Sequence, residues 1–196
     1  VDLETRLGRR DYTLLLFMAR TGARVSEAVG INAADMRLKK PYQVMLRGKG
    51  GKERTVPMKQ DLAQIMERLC LQRQIALHEK AAVFVGISGN RLTRQGVTHI
   101  MRRTVEKART QIPDLAGKNV TPHTLRHTTA MNLLDSGVDL NLIRSWLGHV
   151  NINTTHAYVE ANLEMKRKAL AKSGVIAAKQ DRYNPPDDLL AFLESL

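Results

Sequence analysis

Cysteine is almost missing from this sequence, acid is scarce, and long apolar runs are absent. One cysteine, Cys70, cannot form an internal disulfide, so a disulfide-stapled scaffold is excluded and a reduced, cytoplasmic setting is expected. No apolar run reaches the roughly 20 residues that span a bilayer. Residues 1–10 are too charged for a secretory signal. The spacing GxxxxGK[ST] does not occur, so the glycines near position 50 are not a nucleotide-binding P-loop. Acid is outnumbered: 19 Asp and Glu stand against 31 Lys and Arg, a formal charge of +12. That excess points to a polyanionic partner, nucleic acid before an anionic membrane surface.

What is present is enough for a core. Hydrophobic residues make up 43% of 196 residues, which suits one large domain or one domain with an appended tail. The sequence starts at Val1 and not at Met, which reads as a fragment whose N-terminal part is missing.

Periodicity and breakers divide the chain. Residues 11–19 (DYTLLLFMA) read as an apolar helix stopped near Gly22, and Arg24 opens a second helix. Arg24 at a helix N-terminus suits a wall for an anion, with Glu27 on the same face to orient it or a nearby histidine; an ordinary surface Arg–Glu pair is the other reading. Residues 42–46 and 54–57 read as strands flanking RGKGGKE, a basic hairpin with Lys49 near its tip. An amphipathic helix is expected over 61–78, with Cys70 as a packing residue, and a third strand over 82–85 (AVFV). A basic turn over 91–95 leads to a helix over 97–109, where Arg94, Thr98, Arg102 and Arg103 could line a phosphate-facing stripe.

The densest chemistry lies in residues 121–158. Thr121 and Pro122 open a helix bearing His123, Arg126 and His127. A short helix over 141–147 ends at Gly148, followed by His149, and Tyr158 comes nine residues later. Two histidines at i and i+4 invite a zinc reading, but Arg126 between them would repel a metal, and no Glu follows His123. An Arg and His set without carboxylates suits a phosphate. Trp146 and the tyrosines at 12, 42 and 183 read as packing residues.

The stretches TGARVSE, RGKGGKERTVP, HTLRHTTA and LGH, followed by Tyr158, resemble the tyrosine recombinase (phage integrase) family over about residues 11–170. The resemblance implies a mostly helical α+β catalytic domain with a small antiparallel three-stranded sheet at one edge. It implies that Arg24 and Arg126 clamp a DNA phosphate, His149 adds a donor, and Tyr158 is the nucleophile. His123 then takes or relays the phenol proton, and Lys49 protonates the leaving 5′ oxygen, with Lys52 as the alternative. Glu27 plays an orienting part. Lys52, Arg54, Arg91, Arg94, Arg102 and Arg103 are expected on the DNA, and neither metal nor cofactor is expected.

Two further readings stay open: a module of the same fold that binds DNA without cutting it, and a type IB topoisomerase. The domain is expected over residues 1–172, with a linker and short amphipathic tail helix over 173–196. The family's N-terminal core-binding domain is expected to be absent from this chain. The resemblance also implies double-stranded recombination sites as substrate and a homotetramer on DNA. In such an assembly the tail could pack on a neighbour or fold back over its own site.

Overall fold

The structure is a computed structural model that describes residues 1–148 of the chain. Helix α1 (Arg6–Thr21) extends beyond the apolar stretch at both ends, because Thr5 caps it by accepting the Gly8 N–H at 3.0 Å. Gly22 stops it in the left-handed region (φ 65°), returning its N–H to the Met18 carbonyl. A Cβ at Gly22 would stand 2.5 Å from the Leu147 side chain, so conformation and space both demand glycine. Helix α2 (Val25–Gly30) follows, with Arg24 at its N-cap as the sequence predicts.

Three antiparallel strands come next, β1 (Met36–Arg37), β2 (Gln43–Arg47) and β3 (Glu53–Pro57), paired in that order. Val44 lies opposite Val56, and Leu46 opposite Arg54. Val44, Leu46 and Val56 are fully buried, the inward set of a sheet with one covered face. The β2–β3 tip holds a single 3-10 turn, Lys49–Gly51.

The third strand is β1 and not the expected 82–85. That stretch makes only single bridges, Asn32 with Ala82 and Val85 with Arg91. Its neighbouring backbone groups take separate partners: the Val83 N–H goes to Ile31, while the Phe84 carbonyl accepts from Leu92. An apolar run thus threads the core between two loops without joining a ladder.

Helix α3 (Gln60–Gln72) is shorter than expected. Arg73 turns its guanidinium to the carbonyls of Ala82 and Val83, and Gln74 takes φ 55°, which ends the helix. Helix α4 (Arg94–Arg109) starts three residues early, because Thr93 supplies the N-cap. Helix α5 (Pro122–Asp135) begins at the predicted Thr121–Pro122 signal. Helix α6 (Leu140–Leu147) runs from an Asp139 cap to Gly148, again left-handed.

The core is formed by Leu14, Phe17 and Met18 of α1 with Leu62 and Met66 of α3, the inner sheet face, Phe84 and Val97. Phe17 and Phe84 pack as tilted rings 6.1 Å apart. Cys70 is buried in this core, and burial pushes its thiol up to about 11, which fits the packing role. Among the described residues no helix is long and apolar enough to cross a membrane. The architecture is a mostly helical α+β fold with one small antiparallel sheet.

Candidate active site

The site is built around the carboxyl end of α6. The last carbonyls of a helix have no partners within it and carry partial negative charge. Here three guanidiniums from three other segments meet them. Arg54 of β3 gives its Nε to the Trp146 carbonyl at 2.8 Å. Arg126 of α5 donates to the Leu147 carbonyl, and its other Nη reaches the Gly22 carbonyl. Arg24 donates to the Gly148 carbonyl at 3.0 Å and, more loosely, to the Leu147 carbonyl at 3.5 Å. Arg24 and Arg126 therefore reach the same oxygen, although they lie at opposite ends of the described chain.

Glu27 fastens two of the three. Its Oε1 accepts from Arg24 at 2.9 Å and from Arg54 at 2.6 Å. Its Oε2 accepts from Arg54 at 2.7 Å and from the Arg24 backbone N–H at 2.7 Å. Glu27 is 2% exposed. Burial pushes its carboxyl up, but the hydrogen bonds and charge of Arg54 and the two donors of Arg24 together outweigh that, leaving it at about 2. The carboxylate is ionised, and Arg24 is oriented by it as the spacing predicts.

The expected site residues fall into different situations. Arg126 is 5% exposed, while the Arg24 side chain is 40% exposed and opens on solvent. His123 is exposed in the first turn of α5, one turn before Arg126. Arg126 is drawn in by buried carbonyls, and His123 stays exposed. Lys49 sits at the hairpin tip. His149 and Tyr158 lie outside the described residues.

The expected DNA contacts also divide. Lys52, Arg91, Arg94, Arg102 and Arg103 are exposed. Arg54, by contrast, has a side chain only 12% exposed and commits its guanidinium to Glu27 and Trp146. Arg91 donates to the carbonyls of Val29 and Ile31 and to Asn32, tying the α2 exit to the loop before α4. Arg103 donates to the buried Asp11, which Arg10 also holds. These three arginines answer internal acceptors, a demand that sequence spacing does not display.

Beside the α6 terminus an open cleft of about 740 Å³ separates that helix from the β2–β3 hairpin. Arg24, Lys52 and Arg54 line it from one side, and Asn141, Arg144 and Ser145 from the other. The last three were not singled out by sequence, yet their i, i+3, i+4 spacing places them on one face of α6. Trp146 packs against the core and donates its indole N–H to the Thr21 carbonyl at 3.1 Å.

The family model described as "Phage integrase family" matches residues 3–165. A Sinorhizobium fredii protein whose name places it among integrases and recombinases, y4rC, is 39% identical over 195 residues, covering 100% of this chain and 58% of its own. Tyrosine recombinase XerD of Oceanobacillus iheyensis is 36% identical over 162 residues, covering 81% of this chain and 52% of its own. The chain spans about half the length of the curated relatives it matches. Among solved structures, the XerH site-specific recombinase bound to a palindromic difH substrate in a post-cleavage complex superposes with a TM-score of 0.71. That match has 24% identity, covers 88% of this chain and 48% of the other, and speaks to the fold alone. With a family model spanning most of its length and a shared fold, the chain belongs to the phage integrase family.

Proposed function

We propose that this chain is the catalytic domain, over residues 1–172, of a site-specific DNA recombinase that cuts and rejoins strands through a 3′-phosphotyrosine. The observation that carries the reading is the meeting of Arg24 and Arg126 at one oxygen. Two guanidiniums placed this way can hold the non-bridging oxygens of one phosphodiester, where negative charge grows in the transition state. Removing one such donor costs on the order of 3 kcal/mol of transition-state stabilisation. The recombinase names of the relatives support strand exchange over topoisomerase action or a silent DNA-binding module.

The Tyr158 oxygen forms a bond to phosphorus while the bond to the 5′ oxygen breaks. The phenol proton passes to His123, since an ordinary tyrosine, with a pKa of about 10, is not ionised at neutral pH. Lys49 gives a proton to the leaving oxygen, and His149 adds a donor to the phosphate. A new 5′ hydroxyl reverses these steps and releases Tyr158. The phosphotyrosine conserves the energy of the broken bond, so rejoining uses no ATP. The substrate is double-stranded DNA carrying recombination sites, worked on by a homotetramer in the cytoplasm, with the tail beyond residue 172 passed between neighbours or folded back.

The test uses the protein with a library of nicked duplexes of randomised sequence. DNA that becomes covalently attached is recovered and sequenced. One sequence should be enriched, and Tyr158→Phe should abolish attachment. Uptake of no DNA by the wild type, or equal attachment to the Tyr158→Phe variant, overturns the reading.

A further inference from the structure

Arg54 was expected on DNA, but its position asks a different question: why does one carboxylate hold two arginines? Arg24 and Glu27 alone would form a neutral pair, and a neutral pair attracts a phosphate weakly. Arg54 changes the count. It grips both oxygens of Glu27 end-on through its two Nη atoms, at 2.6 and 2.7 Å, while Arg24 shares only Oε1 through its side chain. With two guanidiniums on one ionised carboxylate, the trio keeps one net positive charge, and the arginine more open to solvent is Arg24 (side chain 40% exposed against 12%). The third donor of Arg54, Nε, fixes the Trp146 carbonyl at 2.8 Å. A Cβ on Gly148 would meet the Arg54 guanidinium at 3.1 Å, so the α6 terminus is fitted around this side chain.

We propose that Arg54 is a positioning residue: by neutralising Glu27 and bracing the α6 terminus, it leaves Arg24 cationic and aimed at the phosphate. The inference rests on the recombinase reading above, since it assigns Arg54 a part in the same site. It also explains why Glu27 can be buried beside a phosphate site without cancelling the site's charge. Lysine cannot substitute fully, because one ammonium cannot span both carboxylate oxygens and the Trp146 carbonyl with the same planar fork.

The experiment measures single-turnover cleavage at saturating DNA, using the duplex recovered above. Wild type, Arg54→Met, Arg54→Lys, Glu27→Gln and the double variant Arg54→Met/Glu27→Gln are compared. Each is assayed on the natural scissile phosphate and on a neutral methylphosphonate at that position. Arg54→Met should slow cleavage of the phosphate about 100-fold, in line with loss of one transition-state cation, and Arg54→Lys should fall between it and wild type. The double variant, which buries no lone carboxylate, should recover at least tenfold of that loss. On the methylphosphonate the Arg54→Met penalty should shrink, because less charge needs a cation; a defect of folding alone would carry over unchanged.

If Arg54→Met does not fold, the double variant decides. Cleavage still about 100-fold down in a folded double variant, or an equal penalty on both substrates, overturns the inference. A wild type that cleaves no DNA fails the recombinase reading instead, so the two failures are distinct.

Discussion

Two regions of this molecule are held together by opposite means. Around Phe17 and Phe84 the contacts are apolar, and Leu14, Leu62 and Met66 leave no exposed surface. Around the end of α6 the interior is polar, knitted by Glu27, Arg54, Arg24 and Arg126 to backbone carbonyls. Apolar burial is non-directional and tolerates a change of shape more readily than a change of volume. Charged hydrogen bonds in a buried setting fix direction, and each partner that is removed leaves another unsatisfied. The first region provides stability, and the second provides aim.

The contrast can be broken in order of effect. The largest loss is expected from Phe17→Ala, about 3–5 kcal/mol by denaturant unfolding, the cost of a cavity in a packed core. That loss should be nearly the same at low and high salt.

Acid should act on the other region. Glu27 has its carboxyl lowered from 4.5 to about 2, so its contribution is complete above the unfolded value and disappears as pH falls through the folded one. Stability should therefore drop by about 3 kcal/mol between pH 4.5 and 2 from this group. Glu27→Gln should flatten that part of the acid titration, and an unchanged slope would place the acid-sensitive contact elsewhere.

Gly22→Ala tests the seam between the regions. The left-handed backbone costs about 1–2 kcal/mol for a residue with a Cβ. The Leu147 methyl 2.5 Å away must also move. Thermal unfolding reads the first effect, and slower DNA cleavage at unchanged DNA binding reads the second.

The smallest effect on stability belongs to Lys52→Ala or Arg144→Ala on the cleft walls, within about 0.5 kcal/mol of wild type. Either should lower the slope of log binding constant against log salt by about 1, the sign of one lost phosphate contact. A fall in stability without a change in salt slope would move that residue from the DNA surface to the framework.

Local signals were the legible ones. Gly22, the Thr121–Pro122 start and Gly148 each mark an element end in a few residues, and each stands where spacing puts it. The hairpin around Lys49 was equally plain, since glycines between two β-prone runs suffice. The third strand was not, because residues 82–85 and 36–37 differ in apolarity in the wrong direction: the more apolar run is the core thread and the less apolar one joins the sheet. In the site, the convergence of Arg24 and Arg126 followed from the motifs that carry them. The internal hydrogen bonds of Arg54, Arg91 and Arg103 did not, because nothing local distinguishes an arginine that will find a buried carboxylate or carbonyl from one that bonds only to water. Only the tertiary fold sets out those acceptors.

A carbonyl oxygen has room for two donors, and in Leu147 both places are taken by guanidiniums. The two holds are unequal: Arg126 is moored on two backbone carbonyls, while Arg24 reaches Leu147 only at 3.5 Å and keeps its side chain 40% exposed. Arg24 can therefore turn toward solvent while it keeps its bond to Glu27, whereas moving Arg126 strips donors from carbonyls that have few other partners among the described residues.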